Sequence, residues 1–300
     1  MRRFLPLLLA AALSAASLMS AASPPGSSRD AAQAAARPPE SLDLLRQAIG
    51  DHRLVLLGEM HGTRETPALV GELIDAYAQQ RRPVLLAVEI STGEQARLDR
   101  YLASAGATAD REALLVGPHW RDPLHDGRDS RAMFDLIEHV RSLRAQGATI
   151  DLLAFDIGGA DRDRGMADAL RAAARRDAVA TLLVLTGNVH AMTHRPHWEM
   201  RDEHGQRIEP PMTAGRYLAD LAPLSIDIQG LGGAHLACTQ GHCRVQAEAP
   251  LPAGTMPGLQ RNGADSAWDY DLLLPRFTPS PPAIDVSPDA AAPAPRAVNP

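Results

Sequence analysis

The stretch that decides the fold is residues 54–65, which read Leu-Val-Leu-Leu-Gly-Glu-Met-His-Gly-Thr-Arg-Glu. Four apolar residues come first, then a glycine, and then acidic, basic and imidazole side chains. A short run that is apolar at every position is typical of a strand buried on both faces of a sheet. A glycine at the end of such a run indicates that the chain turns there. We therefore predict a buried strand that carries polar groups at its carboxyl end.

Three more apolar runs of this kind follow, and each leads into a polar group. They are residues 84–88 before Glu89, residues 150–155 before Asp156, and residues 181–185 before the segment that ends at His190. Helical patterns separate the runs, at about 67–80, 92–104, 130–145 and 161–176, with a loop-like insert at about 105–129. Alternating strands and helices predict an α/β fold, with a mostly parallel sheet and helices on both faces. Residues 223–229 predict another strand, and 234–247 predict a C-terminal strand hairpin.

The polar groups at the strand ends form the candidate site, because the carboxyl ends of parallel strands meet at one edge of the sheet. His61 and His190 lie in two Gly-x-x-His units, and an imidazole can serve as a general base or as a metal ligand. The candidate carboxylates could orient an imidazole, carry protons or bind a cation; they are Glu59, Glu65, Glu89 and Asp156. For any single one of these residues, a surface or capping role is the alternative.

Arginine supplies every fixed cation in this chain, since all 30 basic residues are Arg and none is Lys. Mechanisms that need a lysine amine, such as a Schiff base or a Walker loop, are excluded. Arg64, Arg162 and Arg164 follow the first and third strands, where they could hold an anionic group; a solvated helix start is the alternative. His119 in the insert could cover the site or only pack the insert. The formal charge of −6 and the 4% aromatic content argue against a nucleic-acid partner.

The N-terminal segment and the two cysteines point to export. Residues 1–22 have two arginines, an apolar stretch and a small-residue cleavage site, which predicts a secretory signal peptide rather than a retained anchor. Residues 23–40 are predicted to be a flexible leader, 41–277 the folded domain and 278–300 a disordered Pro/Ala tail. Cys238 and Cys243 predict a disulfide in an oxidising compartment, with a metal or redox pair as the alternative. We expect a periplasmic or secreted protein without stable membrane insertion.

Three motifs, spread over about 54–192 in order, resemble known families. Gly58-Glu59-Met60-His61-Gly62 with Glu65 resembles the signature of erythromycin esterase-like proteins, and Arg162-Asp163 with Met166-Ala167 is similar to a second segment of that group. Gly187-Asn188-Val189-His190-Ala191 resembles a segment of ChaN-like haem-binding proteins, and the paired Gly-x-x-His units resemble those of Tiki metalloproteases.

The resemblance implies hydrolytic or haem-binding chemistry at the strand ends. By likeness to the esterases, His61 would be the base that activates water, with Glu59 and Glu89 beside it and Arg162 as the matching arginine. By likeness to the Tiki proteins, His61, His190 and Glu89 would hold a divalent metal, with Asp156 as a further candidate ligand from its strand-end position.

The leading hypothesis is an exported hydrolase that cleaves an ester or peptide bond. Its substrate would be a small molecule or a peptide, and the reaction could proceed with or without a divalent metal. In it, water is activated by His61, with Glu59, Glu65, Glu89 and His190 in support, and Arg162 meets the developing negative charge; Arg64, His119 and Arg164 are candidate substrate contacts. The alternative is a periplasmic haem- or iron-binding protein of ChaN type without turnover. A third possibility is a structural domain whose site has decayed.

Overall fold

The computed structural model describes residues 40–176, 179–201, 204–239, 242–249 and 251–284. The signal peptide predicted for 1–22, the leader up to residue 39 and the tail beyond 284 lie outside these ranges. The helices are α1 Glu40–Ile49, α2 Glu65–Gln79, α3 Gln95–Leu102, α4 Thr108–Leu115, α5 Arg131–Ala145, α6 Arg162–Arg176 and α7 Ala214–Tyr217. The strands are β1 Leu54–Glu59, β2 Val84–Ser91, β3 Ile150–Asp156, β4 Thr181–Gly187, β5 Met200–Arg201, β6 Arg207–Ile208, β7 Leu224–Gly230, β8 Ala234–Thr239, β9 His242–Ala247, β10 Gly258–Arg261 and β11 Tyr270–Leu274.

Seven strands form the central sheet in the order β10-β11-β7-β1-β4-β2-β3. Neighbouring strands are parallel throughout, except that β10 pairs antiparallel with β11 at the edge. The four strands predicted to carry the site are therefore adjacent, as β1, β4, β2 and β3. The α/β fold with a mostly parallel sheet is confirmed.

Helices cover both faces of the sheet. Alternate residues of a strand point in opposite directions, so each buried strand contributes to a core on either face. Val55 and Leu57 of β1 lie in a core that includes residues of α1, α2 and α5. Leu54 and Leu56 face the other way, into a core that includes residues of α6. All six residues of β1 are buried, which accounts for the continuous apolar run in its sequence.

The C-terminal hairpin is also confirmed. β8 pairs antiparallel with β9, and Cys238 lies opposite Cys243. These two cysteines form the predicted disulfide. The hairpin contacts the loop after β1, since the backbone N–H of Leu236 donates to the carbonyl of Gly62 over 3.2 Å.

Two segments contradict the sequence prediction, and the sequence had assigned no element to α1, α7, β5, β6, β10 or β11. The insert at 105–129 contains the helix α4, whose polar outer positions conceal the helical period. Residues 278–284, assigned to the tail by composition, are bonded to the domain: the N–H of Ser280 donates to the carbonyl of Gly62, and the N–H of Ala283 donates to the carbonyl of Asp129. Backbone hydrogen bonds hold this segment, and composition does not report them.

Within the described ranges, no helix combines the length and the apolar character that a membrane span requires.

Candidate functional site

The first part of the site is a carboxylate–imidazole pair at the end of β1. Glu59 is buried, and its Oε1 lies 3.0 Å from Nδ1 of His61. Gly62 follows with a φ of +74°, and a Cβ there would lie 2.2 Å from the carbonyl oxygen of Leu236. Only glycine fits this turn, because a side chain would be strained and would collide with the hairpin. The turn thereby directs His61 back over the edge of the sheet.

Glu89, at the end of β2, is the centre of the cluster. Its Oε2 accepts hydrogen bonds from the Thr186 hydroxyl over 2.6 Å and from the backbone N–H of Gly187 over 2.7 Å. The same oxygen lies 3.6 Å from Nε2 of His61. Its Oε1 accepts from Nη2 of Arg162 over 2.5 Å. A buried carboxylate with this many donors is stabilised as an anion.

Asp156 and Arg162 form the second ion pair, between the end of β3 and the start of α6. Nε of Arg162 donates to Oδ1 of Asp156 and Nη2 donates to Oδ2, each over 2.9 Å. This two-point geometry fixes the plane of the guanidinium. Nη1 of Arg162 lies 3.1 Å from Nε2 of His190, so one arginine joins β2, β3 and the loop after β4.

His190 belongs to a second carboxylate–imidazole pair. Its Nδ1 lies 2.7 Å from Oδ1 of Asp163, and the same oxygen accepts from the backbone N–H of Ala214 over 2.7 Å. A guanidinium can only donate, so Nε2 of His190 is the acceptor towards Arg162 and the proton sits on Nδ1. Asp163 therefore sets the tautomer of His190 and leaves a lone pair on Nε2.

Arg128 and Asp126 are members of the cluster that the sequence did not reveal. Nη1 of Arg128 donates to Oδ2 of Asp156 over 2.9 Å and lies 3.4 Å from Oε1 of Glu89. Its Nε and Nη2 donate to the carboxylate of Asp126. Both residues lie in the irregular part of the insert, where no periodicity marks them. Asp163 was visible in the sequence as part of a charged helix start and of the second motif, but the sequence assigned it no role.

Four predicted site residues lie apart from the cluster or at its margin. Glu65 is buried at the start of α2, and its Oε2 accepts from the backbone N–H of Thr278 over 2.8 Å. Nε of Arg64 donates to the carbonyl of Pro279 over 3.1 Å, and Arg164 is exposed on α6. His119 is at the margin, where its Nε2 lies 3.3 Å from the carbonyl of Arg128.

Electrostatics set the protonation of the site. Burial disfavours the charged form of His61, but the carboxylates of Glu89 and Glu59 outweigh it and raise the pKa of His61 to about 10. Burial alone would raise the pKa of Glu89. The positive charges of His61, which has the larger effect, and of Arg162 hold this pKa well below its usual range. His61 is thus an imidazolium at neutral pH. Burial lowers the pKa of His119 to about 4, so its ring is neutral there.

The resemblance implies a divalent metal, for which His61, His190 and Glu89 would be the ligands, with Asp156 as a further candidate. Nε2 of His190 and Oε1 of Glu89 both contact the guanidinium of Arg162. A metal requires unprotonated nitrogens and open carboxylate oxygens at one point. Among the described residues, no group of three or more His, Cys, Asp or Glu side chains is placed to hold an ion. In this structure the donor atoms of His190 and Glu89 are thus engaged with Arg162.

Fold and cluster together define an α/β protein with an ionic site at the carboxyl edge of its sheet, and solved structures share this fold. A succinoglycan biosynthesis protein superposes with a TM-score of 0.60 at 13% identity, over 81% of this chain and 92% of its own. A protein from Bacillus cereus superposes with a TM-score of 0.55 at 11% identity, over 80% of this chain and 92% of its own. At such identities the likeness shows the fold alone.

The structural neighbours also include a mutant of the erythromycin esterase EreC, with a TM-score of 0.49 at 12% identity, over 79% of this chain and 78% of that one. No family model matches the chain, and no curated protein matches it.

Proposed function

We propose that this protein is a hydrolase of ester or amide bonds in which His61 and His190 form an acid–base pair and the protein's own cations take the place of a metal. The observation that supports this most is that both imidazoles contact one buried carboxylate: Nε2 of His61 lies 3.6 Å and Nε2 of His190 lies 3.9 Å from Glu89. Each ring is oriented by a further carboxylate, Glu59 or Asp163.

The different surroundings of the two rings suggest different roles. With a pKa of about 10, only about one His61 ring in a thousand is unprotonated at pH 7, which is too few for an efficient base. His61 is therefore assigned to proton donation, towards the leaving group or the developing oxyanion. His190 has a lone pair on Nε2, and a water molecule that replaces its 3.1 Å contact with Arg162 would lose its proton there. This assignment replaces the sequence expectation of His61 as the base.

The arginines supply charge rather than protons. Arg162 holds Glu89 and Asp156 in place over 2.5 to 2.9 Å and keeps positive charge beside the reacting centre. Fixed charge of this kind stabilises an oxyanion without reorganising during the reaction. The substrate, a small molecule or a peptide, would approach the exposed side of His61 and His190, which are 22% and 17% exposed.

The test is hydrolysis of a panel of p-nitrophenyl esters and short peptides by the purified protein and by His61→Asn and His190→Asn. We expect each variant to lose at least about 100-fold in kcat with the fold intact by circular dichroism. His139→Asn is the matched control, because His139 forms an ion pair of the same kind outside the site. Its Nε2 lies 2.8 Å from Oδ1 of Asp75, and both side chains are partly exposed. Unchanged turnover in both site variants would overturn the proposal.

The pH profile separates the two assignments for His61. If His61 is the acid, kcat stays level from pH 7 to 9 and falls as pH rises through about 10. If His61 is the base, kcat rises about tenfold per pH unit over the same interval. The rate of hydroxide-catalysed hydrolysis is subtracted at each pH.

Metal content, haem binding and export are tested on the same preparation. Elemental analysis of protein purified without chelator distinguishes a metal-free site from one with a stoichiometric divalent ion. Titration with haemin examines the alternative of a haem-binding protein, which requires a Soret shift at micromolar protein. The Cys238–Cys243 disulfide supports the proposed export, and N-terminal sequencing of the mature chain would show whether cleavage follows residue 22.

A further inference from the structure

The ion pair between Arg128 and Asp126 differs from the rest of the cluster in its exposure. Nε of Arg128 donates to both carboxylate oxygens of Asp126, over 3.1 and 2.9 Å, and Nη2 donates to Oδ2 over 2.5 Å. Asp126 is 36% exposed, whereas Glu89, the main partner of Arg162, is 3% exposed. A loop carboxylate that is about a third exposed can leave its arginine for water at a lower cost than one that is almost fully buried.

Arg162 has no comparable freedom. Its Nε and Nη2 bind the buried carboxylates of Asp156 and Glu89, so only Nη1, towards His190, could exchange its partner. Moving it would leave buried carboxylates without a cation, which is strongly destabilising. The arginine that can take up a ligand at this site is therefore Arg128, although the sequence pointed to Arg64, Arg162 and Arg164.

The loop that carries Arg128 lies directly on the loop of His61. Gly127 has a φ of +97°, and a Cβ there would lie 2.2 Å from the backbone nitrogen of Gly62 and 2.8 Å from the carbonyl carbon of His61. The His119 ring lies 3.3 Å from the carbonyl of Arg128 and supports the loop from the other side. Nη1 of Arg128 lies 3.4 Å from Oε1 of Glu89, and Oε2 of Glu89 lies 3.6 Å from Nε2 of His61, so a group bound to Arg128 would lie near His61.

We propose that Arg128 is a subsite for a carboxylate group of the substrate, and that Asp126 occupies it as an internal substitute until the substrate arrives. The two-point contact between Asp126 and Arg128 is the geometry in which a guanidinium binds any carboxylate. When a carboxylate of the substrate replaces that of Asp126, the guanidinium of Arg128 keeps one anionic partner. The inference rests on the proposed function only for the chemistry that would follow binding.

Binding is tested without turnover, with succinate as the probe, by isothermal titration calorimetry. Asp126→Asn keeps the shape of the side chain and removes the competing charge, so succinate should bind about tenfold tighter than to the wild type. Arg128→Gln should weaken binding at least about tenfold. Asp135→Asn is the matched control, because Asp135 forms a pair with Arg131 on the surface and should leave binding unchanged. Equal affinity in the wild type, Asp126→Asn and Arg128→Gln would overturn the proposal.

Kinetics test the same subsite in the reaction. We expect Arg128→Gln to lower kcat/KM for p-nitrophenyl hydrogen succinate at least about tenfold more than for p-nitrophenyl butyrate, whose acyl chain is uncharged. An equal effect on both esters would overturn the subsite while leaving the hydrolase proposal standing. If no ester is hydrolysed but the succinate affinities change as expected, the hydrolase proposal fails and the carboxylate subsite remains. Should Arg128→Gln fail to fold, the tightening in Asp126→Asn still decides the question.

Discussion

Loss of the proton from His61 should account for most of the fall in the free energy of unfolding between pH 7 and pH 10. Burial works against its charge, but the carboxylates of Glu89 and Glu59 raise its pKa from 6.5 to about 10. Few other groups titrate in this interval, because the chain has no lysine and both cysteines are in a disulfide. Burial also raises the pKa of Tyr101 to about 12, which moves that tyrosine out of the interval.

The magnitude follows from linkage. A group whose pKa is higher in the folded state stabilises that state fully below its unfolded pKa, and the stabilisation is lost as pH rises through the folded pKa. A change from 6.5 to about 10 corresponds to roughly 5 kcal/mol. Since 22% of the His61 side chain is exposed, solvent screening reduces this, and we expect a loss of about 3 kcal/mol.

The assay is urea unfolding followed by circular dichroism at one-unit steps from pH 6 to pH 10. The free energy of unfolding of the wild type should fall by about 3 kcal/mol, spread evenly over the interval between pH 6.5 and pH 10. His61→Asn should be less stable at pH 7, because Glu59 and Glu89 lose a cation, and its stability should change much less with pH. His139→Asn should follow the wild type. Parallel curves for the wild type and His61→Asn, or an NMR titration of His61 near pH 6.5, would refute the reasoning.

Three further predictions concern other parts of the molecule. Asp163→Asn should lower kcat about 100-fold with the fold unchanged by circular dichroism, because His190 loses the carboxylate that sets its tautomer; full activity would exclude that role. Replacing Cys238 and Cys243 by serine should lower the free energy of unfolding in urea by about 2 kcal/mol, the value for a short closed loop, and an unchanged midpoint would contradict this. Burial raises the pKa of Asp227 from 3.8 to about 7, so the fold loses stability as pH rises from about 4 to about 7 and keeps the full loss above 7. Asp227→Asn should therefore raise Tm more at pH 8 than at pH 5, whereas an equal change at both values would contradict the assignment.

Much of the candidate site could be predicted because strand ends are visible in sequence. A run such as Leu54 to Leu57 fixes where the chain leaves the sheet, and the next polar residues must lie at its edge. Glu59, His61, Glu89 and His190 were found in this way. Glu65 satisfies the same pattern but bonds the backbone of Thr278, since a helix start can direct a carboxylate away from the edge.

Arg128 and Asp126 could not be predicted, because their position depends on how the insert folds over the loop of His61. The insert has no apolar period in that part, and its contact with Gly62 joins residues far apart in the chain. Contacts of this kind form between loops and leave no mark on composition.

The sequence by itself determined the fold class, the four strand ends and the absence of any lysine chemistry. These follow from local physics, since apolar periodicity and glycine positions act within a few residues. Only the tertiary structure decided the strand order that makes β1, β4, β2 and β3 neighbours, the pairing of each imidazole with its carboxylate, and the charge on His61. Charge depends on distances in space and on burial, which no stretch of sequence fixes alone.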